Sequence, residues 1–425
     1  MSPEKPVVMT ASEFKQLVRD NKEIDLSTVD VVTCATFGIM SGTMAFFSFF
    51  AANPGTFKKA ISISFNGISG FVGPCPNESN GWVDAVFYGT SVSESDSKYG
   101  GGHLFKDIVS GKMIEIILKV SSDSDKISTL TLYKNINDFK TARMITTRSS
   151  FKNYTAFTNL TDRDITTIFS VLPLKSNSKE ATVSGCGEIN PLENDPALKH
   201  HKAGTKVLLN GSIGFILGKG TRSEEKPNLS ISSDMKDMKP HLMGGFVTSA
   251  GPECMSCVAT AIPVDDFETL DFLKITDENI KLPVACVSDR VPFDFATYAD
   301  VWQNTGRNIK YIKENCLSCK ICDAESFCPV SAINLNSSNI VSSDCVSCLT
   351  CLSSCKHGAF KLYSDCFKNE KENENEKEKD SGTLKLKSGK YSISLRQSDR
   401  NRAEAASKLL KDMIEKGDFN LNSIN

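Results

Sequence analysis

Residues 316–355 read CLSCKICDAESFCPVSAINLNSSNIVSSDCVSCLTCLSSC. Cys316, Cys319 and Cys322 are each separated by two residues, and Cys328-Pro329 follows. Cys345, Cys348 and Cys351 repeat that spacing, and Cys355 closes the segment. Three thiolates at i, i+3 and i+6 can wrap one cubane, with the distant fourth cysteine of each run ligating the other cluster. The spacing therefore assigns Cys316, Cys319, Cys322 and Cys355 to one [4Fe–4S] cluster. It assigns Cys345, Cys348, Cys351 and Cys328 to a second. Zinc sites pair two cysteines with two distant ligands and do not repeat this triplet. Two details depart from the usual two-cluster ferredoxin run: the gap before Cys328 is longer, and Lys356 replaces a proline after Cys355.

Outward from this segment the composition changes. Lys368–Asp380 (KNEKENENEKEKD) has no apolar residue, so it cannot bury a core and reads as a disordered linker. Beyond it, Tyr391–Leu395 suits a strand and Ala403–Ile414 a helix, with Ala406, Leu409, Leu410 and Met413 on one face and Gly417 near its end. Upstream, Phe14, Leu17 and Val18 fit a short opening helix, Asp30–Phe37 a buried strand, and Ile61, Ile63 and Phe65 a half-buried strand. An Asn210-Gly211 turn between apolar runs predicts a hairpin. The fold class is α+β. A mixed α/β domain spans 1–310, an inserted two-cluster ferredoxin-like domain 311–366, a charged linker 367–389, and a strand–helix tail 390–425 that returns to the first domain.

Composition narrows the function. The chain has 425 residues, 40% hydrophobic and 24% charged, with a formal net charge of −2. It has no basic field of the kind that neutralises many phosphates, so nucleic acid is not an expected partner. Val31–Phe57 carries no charge, but glycines, serines and a proline interrupt it. It reads as a strand, a tight turn and a buried helix, and no membrane partner is expected. The N-terminus mixes acidic and basic residues and lacks a secretory pattern. A cytoplasmic location follows, and with it the use of fifteen cysteines for metal or catalysis rather than disulfides. The run Gly214-x3-Gly218-x-Gly220 follows a hairpin rather than opening a helix, so no nicotinamide is expected.

Several segments carry a resemblance: Val29–Gly42 (VDVVTCATFGIMSG), Gly73–Glu78 (GPCPNE), Tyr99–Phe105 (YGGGHLF), Ser184–Pro196 (SGCGEINPLENDP), Leu209–Arg222 (LNGSIGFILGKGTR), Gly244–Cys254 (GGFVTSAGPEC) and Arg396–Arg400 (RQSDR). Together they resemble methanogenesis marker protein 16, a branch of the homocysteine-biosynthesis, sulfur-incorporation superfamily, across nearly the whole chain. The resemblance implies an anaerobic archaeal source. It also implies a chemistry, the conversion of an aldehyde and sulfide to a thiol. In this branch that means sulfoacetaldehyde to coenzyme M; in the homocysteine branch the substrate is aspartate semialdehyde. The homocysteine branch carries a cysteine after the methionine of its first motif, whereas here Ser41 follows Met40. Reduction of the sulfur adduct needs two electrons, which two one-electron clusters fed by an external ferredoxin-like donor can deliver. Two other readings remain: an electron-transfer subunit whose large domain only docks a partner enzyme, and a sulfur carrier.

Candidate residues follow from local chemistry. Cys75, Cys186 and Cys254 each sit in a Gly/Pro-rich loop whose backbone amides can approach a thiolate. They read as a sulfur-carrying nucleophile, as ligands of a third [4Fe–4S] cluster, or as small buried residues. Cys34, Cys286 and Cys366 read as structural, and Cys254-x2-Cys257 as a redox pair or as packing. His103, after three glycines, is a proton donor or a helix cap. Glu188 and Asp195 are general acids or turn caps. A sulfonate needs cationic partners, and Arg222, Arg148 and Lys152 are the candidates.

Overall fold

Alternating burial along short apolar segments makes this a protein of strands with few helices. The computed structural model describes residues 6–421 apart from 74, 76–78, 123, 150–151, 222–226 and 365–376. Among these residues the strands form a 14-stranded sheet, a six-stranded sheet and a three-stranded sheet. The fold is mixed α and β, as the sequence predicts.

The large sheet is built around the strand Val31–Ile39. It pairs antiparallel with Gly251–Pro263 in a ladder running from Pro263↔Val31 to Met255↔Ile39. After the turn at Met40–Gly42 the chain enters a second strand, Thr43–Phe50, which pairs with Phe139–Ser149 and with Trp82–Tyr88. This second strand replaces the helix expected within the uncharged run. Its residues alternate in burial, with Ala45, Phe47 and Phe49 inward. Aromatic residues at period two suit a pleated sheet better than a helix. The predicted hairpin forms as Lys206–Leu209 and Ser212–Lys219, with Asn210 and Gly211 both at positive φ, as its tight turn requires.

The opening helix Ala11–Arg19 is closed by a capping box from Thr10 and Glu13 and buries Phe14. The final helix Arg400–Lys416 starts at Asp399 and ends on Gly417 at φ +82°. Its Ala403, Ala406, Leu410 and Ile414 pack in one apolar cluster with Val32, Cys34 and Phe37 of the large sheet.

The six-stranded sheet runs through Pro292–Thr297, Lys281–Cys286, Ala156–Thr158, Glu180–Val183, Gly389–Arg396 and Thr383–Leu386. The strand Gly389–Arg396 lies parallel to Glu180–Val183 and antiparallel to Thr383–Leu386. The chain therefore returns from the cysteine-rich segment into a sheet begun more than 200 residues earlier. The expected linker 367–389 is shorter than its charge implies. Glu378–Lys379 pairs with Phe360–Tyr363, and Thr383–Leu386 buries Leu384 and Leu386 on alternate positions. Lysines between those leucines face outward, so net charge alone hides the strand.

Within the cysteine-rich segment, Asn308–Tyr311 pairs antiparallel with Phe360–Tyr363 and brings its two ends together. Two short helices, Asp323–Ser326 and Thr350–Ser354, pack between them. Among the described residues no helix is long and apolar enough to cross a membrane.

Candidate functional site

Three of the quoted motifs meet at one cavity of about 320 Å³. The first motif contributes Thr36, Gly38 and the turn Ile39-Met40-Ser41. The second contributes Ser184, Gly185 and Asn190. The C-terminal motif contributes Gln397 and Ser398. Arg148, Arg290, Asn153 and the rings of Tyr154, Phe157 and Phe169 complete the wall.

Backbone pairing fixes this meeting. Gly38 bridges Ser398, and Gln397 N–H donates to Val183 O at 2.9 Å. Gly185 N–H donates to Ser398 Oγ at 2.8 Å. Gly185 has φ +116°, and a Cβ there would lie 2.4 Å from Asn153 Oδ1. Only glycine lets this loop pass so close to its neighbours. The Tyr298 hydroxyl and the Trp302 indole N–H then donate to the carbonyls of Ser184 and Gly185, fixing the loop from behind.

Arg148 comes from the end of the strand Phe139–Ser149. Its Nε donates to Thr221 Oγ1 at 2.8 Å, and it has no ion pair among the described residues. Arg290 reaches the cavity from its rim, over the ring of Phe169 at 5.1 Å. Among the described residues that line this cavity there is no carboxylate side chain. Behind the wall stands Glu253, 5% exposed, with Oε2 lacking a hydrogen-bond partner among the described residues. Burial raises its carboxyl above the ordinary value, against the opposing influence of the Ser41 hydroxyl and the Arg148 charge.

Sequence reasoning named Arg148 and missed both Arg290 and Glu253. Arg290 has no motif around it. Glu253 had a signal: it is the only charged residue between Gly244 and Val264.

The other candidates lie elsewhere. Cys186 is buried against the cavity's far wall, where its Sγ accepts from Phe37 N–H at 3.5 Å and from Thr36 Oγ1 at 3.7 Å. Burial pushes its thiol up to about 11. Cys254 packs in a different apolar cluster from Cys186, and burial pushes its thiol up to about 12. Cys75 is exposed on the loop after Ile68–Val72, beyond the Trp82 end of the neighbouring strand. Ser41 and the cavity lie beyond that strand's Tyr88 end. The three thiols thus share no site, and Cys254 is a packing residue.

Cys257 belongs to the cluster that holds Cys186, three residues and one face away from Cys254 along an extended strand. Odd spacing puts the two thiols on opposite faces and excludes a redox pair. Cys34 is buried beside Lys15, and Cys286 accepts from Leu160 N–H. Arg222 and Cys366 lie outside the described residues.

His103 caps its helix. Its Nδ1 accepts from Gly100 N–H at 3.1 Å, and burial lowers its basicity. It lines a separate cavity with Lys106, Asp344 and Arg402. Lys152 is exposed and lines no part of the main cavity.

Glu188 is no general acid. Burial opposes its charge, but Arg19 and Arg400 outweigh that and hold the carboxyl below its ordinary value. Arg400 contacts both Glu188, at 2.8 Å, and Asp277, and Arg19 grips the other Glu188 oxygen at 2.5 Å. Asp195 accepts from His201 Nδ1 at 2.6 Å and from three successive backbone N–H groups, a turn cap.

The eight cysteines of the two spaced runs fall into two groups. Cys316, Cys319, Cys322 and Cys355 line one cavity of about 210 Å³, beside Leu317 and Ile321, which are 67% and 70% exposed. Cys345, Cys348 and Cys351 lie close enough to Cys328 for its charge to act on each of them. Cys348 and Cys351 of this second group are buried, and Cys328 and Cys345 are half-buried. Val346 and Cys348 share an apolar cluster with Phe37, Cys186 and Cys257. Arg402 donates to Cys345 O at 2.7 Å, and Arg396 N–H donates to Cys348 O at 3.1 Å. Among the described residues no three His, Cys, Asp or Glu side chains converge as ligands of a single ion would. Four thiols spread around a cavity suit a larger inorganic core, whose irons sit at its corners.

Comparison with known proteins agrees with the motif reading. Residues 6–421 match the family described as homocysteine biosynthesis enzyme, sulfur-incorporation. An uncharacterized protein of Methanothermobacter thermautotrophicus is 42% identical over 97% of this chain and 90% of its own length. Another from Methanocaldococcus jannaschii is 42% identical over 97% of this chain and 98% of its own. An L-aspartate semialdehyde sulfurtransferase from the same organism is 28% identical over 65% of this chain and 55% of its own length. No solved structure matches.

Proposed function

The chain belongs to the homocysteine-biosynthesis, sulfur-incorporation family, and from that premise we propose that it is a reductive sulfur transferase. It takes a small anionic aldehyde, sulfoacetaldehyde, with sulfide and two electrons, to the corresponding thiol, coenzyme M. The balance is aldehyde plus H2S plus two electrons and two protons, giving thiol plus water.

One observation carries the substrate assignment. Among its described residues the motif-lined cavity presents Arg148 and Arg290 and no carboxylate. Guanidinium groups match the oxygens of a sulfonate. An amino-acid aldehyde would bring an ammonium group with no counter-charge on the wall. Arg148 and Arg290 would orient the anionic end, leaving the carbonyl toward the Ser41 turn. The aromatic rings of Phe157 and Phe169 exclude water from that end of the cavity.

The two thiol groups support ligation of two [4Fe–4S] clusters, by Cys316, Cys319, Cys322 and Cys355 and by Cys328, Cys345, Cys348 and Cys351. When bound, these supply one-electron reducing equivalents. Cys348 of the second group shares an apolar cluster with Phe37 and Cys186, next to Thr36 of the cavity wall, which supports delivery to this pocket. The cavity also argues against a domain that only docks a partner enzyme.

The test is anaerobic turnover of the iron-loaded protein with sulfide, a reductant and either sulfoacetaldehyde or aspartate semialdehyde. Thiol formation from the sulfonate, with about eight irons per chain, is the expected result. No thiol above a protein-free control overturns the reading. Preference for aspartate semialdehyde favours the second reading, homocysteine formation, which the name of the sulfurtransferase relative supports.

A further inference from the structure

The strand Gly251–Pro263 runs antiparallel to Val31–Ile39, and the ladder's last pair is Met255↔Ile39. The next backbone bond, from Met40 N–H to Cys254 O at 2.8 Å, carries the pairing one step further. Continuing the register sets Glu253 opposite Ser41. Ser41 lines the cavity, and Glu253 does not. Glu253 lies behind Ser41, whose hydroxyl is among the groups that act on its carboxyl.

Burying a carboxyl with an unpartnered oxygen costs free energy. A sheet position that needed only packing would hold an apolar residue, as its neighbours do. Elsewhere in the chain the buried carboxylates of Glu188 and Asp195 are fully engaged with cations or N–H groups. Glu253 keeps one oxygen, Oε2, unused.

We propose that Ser41 and Glu253 form a proton relay into the cavity, Ser41 as the catalytic residue and Glu253 as the positioning residue that supplies its proton. The step is the addition of hydrosulfide to the aldehyde, and it rests on the function proposed above. The C–S bond forms and the carbonyl π bond breaks. The freed electron pair goes to oxygen, which takes the Ser41 proton while Ser41 takes the Glu253 proton. Glu253 is left as carboxylate and regains a proton from solvent. The net reaction is aldehyde plus hydrosulfide plus one proton to the thiohemiacetal, with no oxidation or reduction.

The surroundings suit a carboxyl that is protonated before the step and charged after it. Burial favours the neutral acid, while Arg148, on the strand beyond the cavity, stabilises the carboxylate once the proton has left. The Cys254 thiol is the titratable neighbour on the same strand. On the adjoining strand, Phe246 pairs with Glu253, and His103 packs against Gly245 beside it.

The test uses the full chain, purified anaerobically, and three variants: Glu253→Gln, Glu253→Asp and Ser41→Ala. Infrared difference spectra of wild type against Glu253→Gln at neutral pH should show a protonated-carboxyl stretch that the variant lacks. With sulfoacetaldehyde and sodium sulfide, kcat should fall roughly 10²–10⁴-fold in Glu253→Gln and Ser41→Ala, with KM changed far less. The loss of rate as pH rises through the Glu253 pKa should be present in wild type and absent in Glu253→Gln, and Glu253→Asp should recover part of the rate. Absence of the carboxyl band, or a Glu253→Gln protein with wild-type rate and pH profile, overturns the relay alone. A wild type that makes no thiol from either aldehyde overturns the function and the relay together.

Discussion

Two clusters of charge lie on either side of the Arg396–Arg400 turn, and they treat arginine in opposite ways. On one side Arg400 is buried between Glu188 and Asp277, with Arg19 closing the network. On the other, Arg148 donates to a threonine hydroxyl and makes no ion pair among the described residues, and Arg290 stacks over a phenylalanine ring. An arginine whose charge is already neutralised within the fold holds parts together. An arginine left without a counter-ion beside a cavity can attract one from solution. The same turn contributes Gln397 and Ser398 to the cavity and Arg400 to the clamp, so the rigid side fixes the geometry of the receptive side.

The largest effect that would break this comparison is on the clamp. Arg400→Met leaves Glu188 and Asp277 buried without their shared cation and should cost about 3–5 kcal/mol of stability. Denaturant unfolding measures it, and a variant as stable as wild type would refute the clamp. On the receptive side, Arg148→Ala should raise KM for sulfoacetaldehyde about 10- to 150-fold. That corresponds to losing one charged hydrogen bond of roughly 1.5–3 kcal/mol, while the unfolding midpoint stays unchanged. A matching loss of stability would make Arg148 another clamp residue.

Acid sharpens the contrast further. Glu188 has a lowered folded-state pKa, so its contribution to stability is present above the unfolded carboxylate value and is lost as pH falls through the folded one. The part of the unfolding free energy that Glu188 contributes should therefore drop as pH falls below the ordinary carboxylate range, and Arg400→Met should show a shallower drop. Last, Cys75→Ser should leave turnover and stability within experimental error of wild type, because Cys75 is exposed at the strand end opposite the cavity. A large loss of turnover would bring that loop back into the chemistry.

The parts of this arrangement that were legible in the sequence are those set by local spacing. Cysteines two residues apart announce their grouping, an Asn-Gly pair announces its turn, and a terminal glycine announces the end of the last helix. Glycines at 185 and 187 mark a tight loop for a reason the structure makes plain: a Cβ at Gly187 would overlap Asp277 Oδ1. The cavity is a different matter. Ser41, Arg148, Asn190, Arg290 and Ser398 are brought together by strand registers that join distant segments, and no period in the sequence encodes a register between strands. The same limit explains the uncharged run after Val31. Its aromatic residues fit either a buried helix or a strand by composition, and pairing with Phe139–Ser149 and Trp82–Tyr88 decides for the strand. Glu188 misled for another reason: its neighbours in sequence are a turn, but its partners Arg19 and Arg400 come from opposite ends of the chain.

The strand Gly389–Arg396 occupies an interior position of the six-stranded sheet, and this bears on how the protein is made. A ribosome delivers all eight spaced cysteines before it delivers the strand that seals them against the body. Until then the nascent chain has no finished pocket. Translation order thereby leaves closure to the end, and a message cut short before codon 389 would yield a product that can neither close the sheet nor form the pocket.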